Sequence, residues 1–316
     1  MRMHQPRVSA QLATIGTLVV FMAACGGAAA SPAVTPQGAR FPVTVTSSAG
    51  TTVTLTRRPS RIVSLSPTAT EMLFAINAGP QVVAVDDQSN YPANAPITKL
   101  SGYTPNIEAI AGYAPDLVVA SEDLGSVVHG MQSLNIPILL EPAAKTLDDS
   151  YAQILQLGEV SGHGTDAEGL VKTMKSKVSA FVSLVAKPQR QLSVYHELDN
   201  TFYSATSATF IGQVYKVLGL KNIADEAKGT ATDYPQLSQE YIVSSNPDLI
   251  VLADTKCCNQ NLSTVGARPG WGAIAAVRSG AVINVDDDIA SRWGPRVIDF
   301  MQAIAPRVEQ LEKQAA

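Results

Sequence analysis

Polar and aromatic side chains follow several apolar, strand-like runs of this sequence. The segments concerned are residues 66–67, 86–91, 121–123, 195–197, 254–255 and 288–292. In open parallel sheets, ligands bind beyond the carboxyl ends of the strands. Hydroxyl, carboxylate, guanidinium and aromatic groups together can hold a polar small molecule. The sequence therefore predicts a binding site assembled from several loops.

Catalytic patterns are missing from the sequence. It contains neither a Gly-x-Ser-x-Gly elbow nor a glycine-rich phosphate loop. His129 and His163 are predicted to be surface residues. A zinc or manganese site would need clustered histidines with carboxylates, and the histidines are scattered. A binding protein without a metal site is favoured over a secreted hydrolase. A structural envelope protein is a third class, which would bind no small molecule.

One sequence pattern occurs twice, at residues 108–119 and 240–251. Glu, Ile, Pro, Asp, Leu and Val stand at the same relative positions in both copies. Each copy predicts a short helix that ends before the proline, then a buried parallel strand. Asn106 and Ser238 are the predicted helix caps. The two copies lie too far apart for a solenoid, so they predict two similar α/β lobes.

Other patterns place the lobes along the 316 residues. Residues 41–56 predict a β-hairpin, and Thr68 with Glu71 predicts a capping box at the first core helix. A long helix from Thr165 to Pro188 has apolar residues at helical spacing and is predicted to join the lobes. The predicted domains are an N-terminal lobe at 41–160, an interlobe helix at 161–190 and a C-terminal lobe at 191–316.

The first residues predict export. A weakly basic start precedes a short apolar run and then Cys25-Gly26-Gly27. This pattern is typical of a bacterial lipoprotein signal at residues 1–24, with Cys25 as the lipidated residue, followed by a flexible tether at 25–40. An ordinary secretory signal is the alternative.

Charge and cysteine content limit the partners. The formal net charge of -4 gives no basic surface for nucleic acid. Besides Cys25, the chain has Cys257 and Cys258, which are adjacent. In an exported protein they can form a vicinal disulfide or cross-link two chains. A metal site is less favoured, because no histidine is near them in sequence.

Several motifs resemble one known family. They are residues 61–71, residues 106–108, the two Pro-Asp-Leu patterns, residues 238–240 and residues 294–296. In this order they resemble the substrate-binding lipoproteins of iron-siderophore, haem and cobalamin ABC importers, especially the vitamin-B12-binding branch. The resemblance covers about residues 58–308. It implies the class III periplasmic binding protein fold, with two Rossmann-like lobes on parallel-rich sheets and a long rigid helix between them.

The resemblance also implies a function. The protein would be a monomeric, membrane-anchored extracytoplasmic receptor that clamps a metal chelate between its lobes and delivers it to an ABC permease. It would need no cofactor and would catalyse no reaction. Cobalamin and a ferric siderophore are the first ligand candidates, and haem is the alternative. Ser121 stands where cobalamin binders can carry a tryptophan, so the choice stays open.

Individual residues follow from the same resemblance. Tyr103, Tyr234 and His196 are expected as aromatic walls, because flat rings suit a planar macrocycle. Asp288 and Arg292 are expected as a polar pair at the ligand, and Tyr91 matches a family Tyr-Pro. The predicted ligand-binding set as a whole is Ser66, Asp87, Tyr91, Tyr103, Ser121, His196, Tyr234, Asp288 and Arg292. Glu108 and Glu240 are expected to contact arginines of the permease.

Overall fold

The described part of the chain contains two α/β lobes, each built on a four-stranded parallel sheet. The computed structural model describes residues 41–185, 190–227 and 232–315. Cys25, the signal peptide and the tether therefore lie outside the described residues. No helix among those described has the length and apolar character needed to cross a membrane.

The N-terminal lobe opens with the predicted β-hairpin. Its strands are β1 (Val43–Thr46) and β2 (Thr52–Leu55), paired antiparallel. Valines and a leucine alternate with exposed threonines along both strands. This period of two places one face of the hairpin on the core, which confirms the prediction.

The sheet of this lobe has the strand order β4-β3-β5-β6. Its strands are short, apolar and rich in valine, which fits a sheet that is covered on both faces. The elements are β3 (Ile62–Leu65), α1 (Pro67–Ala75), β4 (Val82–Val85), α2 (Ile107–Ala111), β5 (Leu117–Ala120), α3 (Val127–Ser133), β6 (Ile138–Leu140) and α4 (Leu147–Ser161).

A long helix, α5 (Gly164–Leu184), follows the first lobe in sequence. It buries Ala167, Val171 and Met174 at helical spacing and contacts α4. Its other neighbour is the C-terminal helix described below. In chain order, the long helix therefore stands between the strands of the two sheets.

The C-terminal lobe repeats the plan of the first, with the strand order β10-β9-β7-β8. Its last helix, α11, packs against α5. The elements are β7 (Ser193–Glu197), α6 (Phe210–Val217), β8 (Lys221–Asn222), α7 (Gln239–Ser245), β9 (Leu249–Leu252), α8 (Leu262–Gly266), α9 (Ala275–Arg278), β10 (Val282–Asn284), α10 (Asp287–Ser291) and α11 (Val297–Ala315).

The repeated pattern has the same structure in both lobes. The predicted caps are confirmed, because Asn106 and Ser238 accept hydrogen bonds from the third residues of α2 and α7. The residues before the two prolines, Ala114 and Asn246, both have left-handed backbones, with φ of 46° and 47°. A proline disfavours the right-handed helical conformation in the preceding residue, so neither helix can continue to the proline.

The aspartate after each proline explains why the pattern carries Pro-Asp. Asp116 accepts hydrogen bonds from the backbone N–H of Ser60 (3.0 Å) and Arg61 (2.9 Å), at the start of β3. Asp248 accepts one from the N–H of Ser193 (2.9 Å), at the start of β7. In each lobe this carboxylate joins the beginnings of two neighbouring strands. The repeated aspartate therefore stabilises the pairing of two neighbouring strands in each sheet.

The predicted start of α1 was wrong by two residues. Ser66, rather than Thr68, caps the helix by accepting from the N–H of Ala69 (3.3 Å), and Pro67 is the first helical residue. Proline is favoured there because its fixed φ suits a helix and no N–H is needed. Glu71 consequently lies beyond the capping position, and its carboxylate binds two arginines instead.

Candidate functional site

A cavity of about 350 Å³ lies at the carboxyl ends of the N-terminal strands. Loops that follow β3, β4 and β5 form one side of it, and α10 with the residues after it forms the other. The cavity is therefore bounded by both lobes. Its lining residues are Leu65, Ser66, Pro67, Thr68, Asp86, Gln88, Gly102, Tyr103, Ser121, Glu122, Leu124, Ala143, Asp288, Ser291, Arg292 and Trp293.

Five predicted ligand residues meet in this cavity. Ser66 and Ser121 directly follow two neighbouring strands, β3 and β5, and Tyr103 is 74% exposed. Asp288 and Arg292 come from the C-terminal lobe. The rule that ligands bind beyond strand ends thus located the N-terminal wall from sequence. Ligand contact by these residues remains a prediction.

Gly102 determines how Tyr103 reaches the cavity. A Cβ atom at this glycine would lie 2.7 Å from the carbonyl oxygen of Leu65. Only glycine therefore lets the chain pass this close to the end of β3. The tight passage fixes the backbone next to Tyr103.

Three other predicted residues are accessible but lie outside the cavity lining. Asp87 is exposed, and Tyr234 is half-exposed at 46%. Tyr91 lines a second cavity of about 480 Å³ between α1, α5 and the start of α11. There the guanidinium of Arg296 lies 4.3 Å from the centre of the Tyr91 ring. These residues are not brought to the predicted site in this conformation.

The prediction of His196 as an aromatic wall is wrong. The residue is fully buried, with Nδ1 2.5 Å from the hydroxyl of Tyr215 and the ring packed against Phe300. Burial lowers the pKa of the His196 imidazole to about 3. The physical reason is the place of β7 inside its sheet, where α6 and α11 supply the covering rings. His196 is a core residue.

The ends of β7 and β9 are also closed to the cavity. Glu197 is fully buried and accepts two hydrogen bonds from Arg268, at 2.7 and 2.6 Å. Asp254 is fully buried, and within the described chain neither carboxyl oxygen has a hydrogen-bond donor. Burial, together with the charge of Glu197, raises the pKa of Asp254 to about 8. The expected contributions of segments 195–197 and 254–255 to the site are therefore not observed.

Arg292, predicted as a ligand-binding residue, forms four hydrogen bonds within the protein. Its Nη1 donates to Glu71 Oε1 (2.7 Å) and Asn90 Oδ1 (3.0 Å). Its Nη2 donates to the carbonyl of Gln88 (2.9 Å) and to Asp288 Oδ1 (3.1 Å). Both terminal nitrogens are thus engaged within the protein. Arg292 links α10 to the first lobe.

Glu71 is the centre of this link. Its side chain is 1% exposed and also accepts from Nε (2.9 Å) and Nη2 (2.5 Å) of Arg296. One buried carboxylate on α1 therefore holds two arginines from the segment that connects α10 and α11. Neither Glu71 nor Arg296 was predicted to have this role. We call Glu71, Arg292 and Arg296 together the interlobe clamp.

Asp288 is held by three partners. It accepts from Asn90 Nδ2 (2.9 Å), Lys256 Nζ (2.8 Å) and Arg292. Burial alone would raise the pKa of Asp288, but the hydrogen bonds and the nearby cations lower it overall. The carboxylate is stabilised in its charged form.

Two further lining residues are Trp293, which was not predicted, and the buried Asp86, which was predicted only as part of the segment 86–91. The indole of Trp293 donates to Gln153 Oε1 (2.8 Å), and its carbonyl accepts from Ser150 Oγ (2.5 Å), so α4 fixes the ring at the cavity. Asp86 accepts from the N–H of Gln88 (2.8 Å) and from Ser89 Oγ (3.2 Å). Burial raises the pKa of Asp86. A tryptophan directly before Gly294-Pro295-Arg296 was the available signal.

The two remaining cysteines form a vicinal disulfide, Cys257–Cys258, after β9. Asp287 fixes this loop by accepting from the N–H groups of Thr255 (2.9 Å), Lys256 (3.1 Å) and Cys257 (3.1 Å). Of the alternatives for these cysteines, the structure has the intramolecular bond. Groups of His, Cys, Asp and Glu suited to a metal ion are not found in the part of the chain that is described.

Two lobes on parallel sheets, with a cavity bounded by both, define a two-lobed binding protein. The sequence matches the periplasmic binding protein family over residues 62–289, and the chain belongs to this family. The family consists of periplasmic binding proteins, and its relatives here are named as binding proteins, so the chain is a binding protein and not an enzyme.

Named relatives agree with this assignment. The uncharacterised ABC transporter substrate-binding lipoprotein YvrC of Bacillus subtilis is 31% identical, covering 85% of this chain and 86% of the relative. A cobalamin-binding protein of Halobacterium salinarum is 29% identical, covering 96% and 85%. The crystal structure of the periplasmic vitamin B12-binding protein BtuF of Vibrio cholerae superposes with a TM-score of 0.69 at 23% identity, covering 81% and 99%. That likeness concerns the fold.

Proposed function

We propose that this protein is the substrate-binding component of an ABC importer that captures a metal chelate between its lobes and delivers it to the permease. The observation that carries the proposal is the cavity between the N-terminal strand ends and the segment from Asp288 to Trp293. Cobalamin is the first candidate ligand and a ferric siderophore the second. The name of the cobalamin-binding relative and the rings of Tyr103 and Trp293 in the cavity lining support a flat, ring-bearing ligand.

The cavity also predicts a movement. At about 350 Å³ it is near the lower limit of small-molecule sites. A large macrocycle would therefore require the two walls to move apart. The interlobe clamp, which joins α1 to the segment after α10, would have to shift or act as the pivot.

The ligand can be identified by absorbance titration. Purified protein is mixed with cobalamin, haem or a ferric trihydroxamate siderophore, and each chelate is followed by its own visible bands. Saturable binding of cobalamin or the siderophore would support the proposal. Binding of haem alone would favour the haem-receptor alternative, and binding of none would exclude chelate capture. Turnover of an ester or amide would support the hydrolase alternative.

We also propose that Glu108 and Glu240 dock the protein to the permease. Both are exposed in the first turn of equivalent helices, α2 and α7, one in each lobe. An acidic residue at a helix start is worth only about 0.3–1 kcal/mol to the helix itself. Two exposed carboxylates on separate lobes suit paired arginines on a partner, and they would act through orientation and encounter.

The double variant Glu108→Ala/Glu240→Ala tests this docking role. We expect ligand affinity to be unchanged, because neither residue lines the cavity, while uptake by cells falls strongly and each single variant is intermediate. Glu168→Ala, an exposed position on α5, is the control. Normal uptake by the double variant at normal expression would show that both glutamates only start helices.

A lipid anchor at Cys25 completes the proposal. The residue follows a short apolar run and precedes two glycines, as in lipoprotein signals. Cys25→Ala is expected to move the protein from the membrane fraction to the soluble fraction, as shown by immunoblotting of fractionated cells. Glu168→Ala should stay with the membrane. Unchanged membrane retention of Cys25→Ala would exclude this anchor.

A further inference from the structure

The charges that line the cavity are predominantly negative. The lining contains three carboxyl groups, those of Asp86, Glu122 and Asp288, and one guanidinium, that of Arg292. These four groups are the charges that a ligand in this cavity meets in the lining. The charge state of the preferred ligand can therefore be inferred from how the four groups are paired.

The single guanidinium of the lining has no free terminal nitrogen. Nη1 and Nη2 of Arg292 each donate to two protein oxygens, and the side chain is 8% exposed. The nearby Lys256 is engaged too, with Nζ 2.8 Å from both Asp286 and Asp288. Binding a ligand carboxylate at Arg292 would require breaking a buried ion pair, which is costly.

Glu122 differs from the other two carboxylates. It is exposed, follows Ser121 at the end of β5, and has no ion pair or hydrogen bond among the described residues. Asp288 is paired with Arg292 and Lys256, and Asp86 is tied to Gln88 and Ser89. Glu122 is therefore the lining charge that is free to interact with a ligand.

We propose that the cavity selects an electrically neutral or cationic chelate with amide or amine groups at its edge and rejects chelates that carry carboxylates, with Glu122 as a specificity-determining residue. This inference rests on the proposed function of chelate capture. Like charges a few ångströms apart repel each other, and more strongly where solvent access is limited, so a ligand carboxylate near Glu122 should bind about tenfold more weakly. Amide and amine N–H groups can instead donate to it.

The test uses pairs of ligands that have nearly the same size and differ in one amide or carboxylate group. One pair is cobalamin and a derivative with one peripheral amide hydrolysed to a carboxylate. The other is a ferric trihydroxamate whose amine carries a succinyl chain that ends in an amide, and the same siderophore whose succinyl chain ends in a carboxylate. Dissociation constants are measured at low salt for the parent protein, Glu122→Gln and the control Glu168→Gln.

In at least one pair, the parent protein should bind the carboxylate-bearing member about tenfold more weakly or worse. Glu122→Gln should narrow this gap to about threefold or less, added salt should also narrow it, and Glu168→Gln should leave it unchanged. Equal affinities within every pair that binds would overturn the charge inference but leave chelate capture intact. Preferential binding of haem, with its two carboxylates, would also overturn it. If no chelate binds, the proposed function itself fails.

Discussion

Replacing Glu71 by alanine is expected to lower the free energy of unfolding by about 3–5 kcal/mol, as for other buried ion pairs that lose one partner. The reason is that two arginines, with side chains only 8% and 12% exposed, would lose their shared carboxylate. Chemical denaturation followed by circular dichroism measures the change.

The matched control is Glu309→Ala on α11. Glu309 pairs with Lys313, whose side chain is 71% exposed, so its loss should cost at most about 1 kcal/mol. Glu71→Gln keeps one acceptor oxygen but replaces the other by an NH2 donor and removes the charge, so its stability should fall between the two. If Glu71→Ala is no less stable than Glu309→Ala, the interlobe clamp does not contribute to stability.

The second large effect concerns pH. Replacing Glu141 by glutamine is expected to stabilise the protein by about 2–4 kcal/mol at pH 9 and to change little at pH 5. Glu141 follows β6, is 2% exposed, and has no hydrogen-bond donor for its carboxyl group in the described part of the chain. Burial raises the pKa of Glu141 from 4.5 to about 8.

The sign follows from proton binding. Between pH 4.5 and about 8 the folded protein keeps a proton on Glu141 that the unfolded chain releases, so rising pH favours unfolding. Glutamine mimics the protonated side chain and removes this dependence. Unfolding curves at pH 5, 7 and 9 test it, with the exposed Glu159→Gln as control. A wild-type-like pH dependence in Glu141→Gln would show that the carboxyl group is solvated or paired.

Local sequence patterns were sufficient to predict those features of the structure that depend on residues close together in the chain. The two Pro-Asp copies predicted helix ends, strands and caps, because a proline and a capping side chain act within a few residues. The strand-end rule likewise located Ser66 and Ser121 at the cavity. Both inferences need only the order of elements along the chain.

The wrong predictions concern residues whose surroundings come from distant segments of the chain. His196 was predicted from a resemblance, but the rings that bury it, Tyr215 and Phe300, come from helices elsewhere in the chain. The predicted capping box at Glu71 was wrong, because the partners of Glu71 stand more than 200 positions later in the chain. No local pattern distinguishes a helix-start glutamate from one that pairs with remote arginines.

A crystal structure with the chelate that binds most tightly tests the central claim, capture between the lobes, most directly. We expect a single ligand in the cavity, with its flat face against Tyr103 and Trp293 and its polar edge near Ser66, Ser121 and Glu122. A ligand bound elsewhere, for example in the second cavity beside Tyr91 and Arg296, with the space between Tyr103 and Trp293 empty, would contradict it.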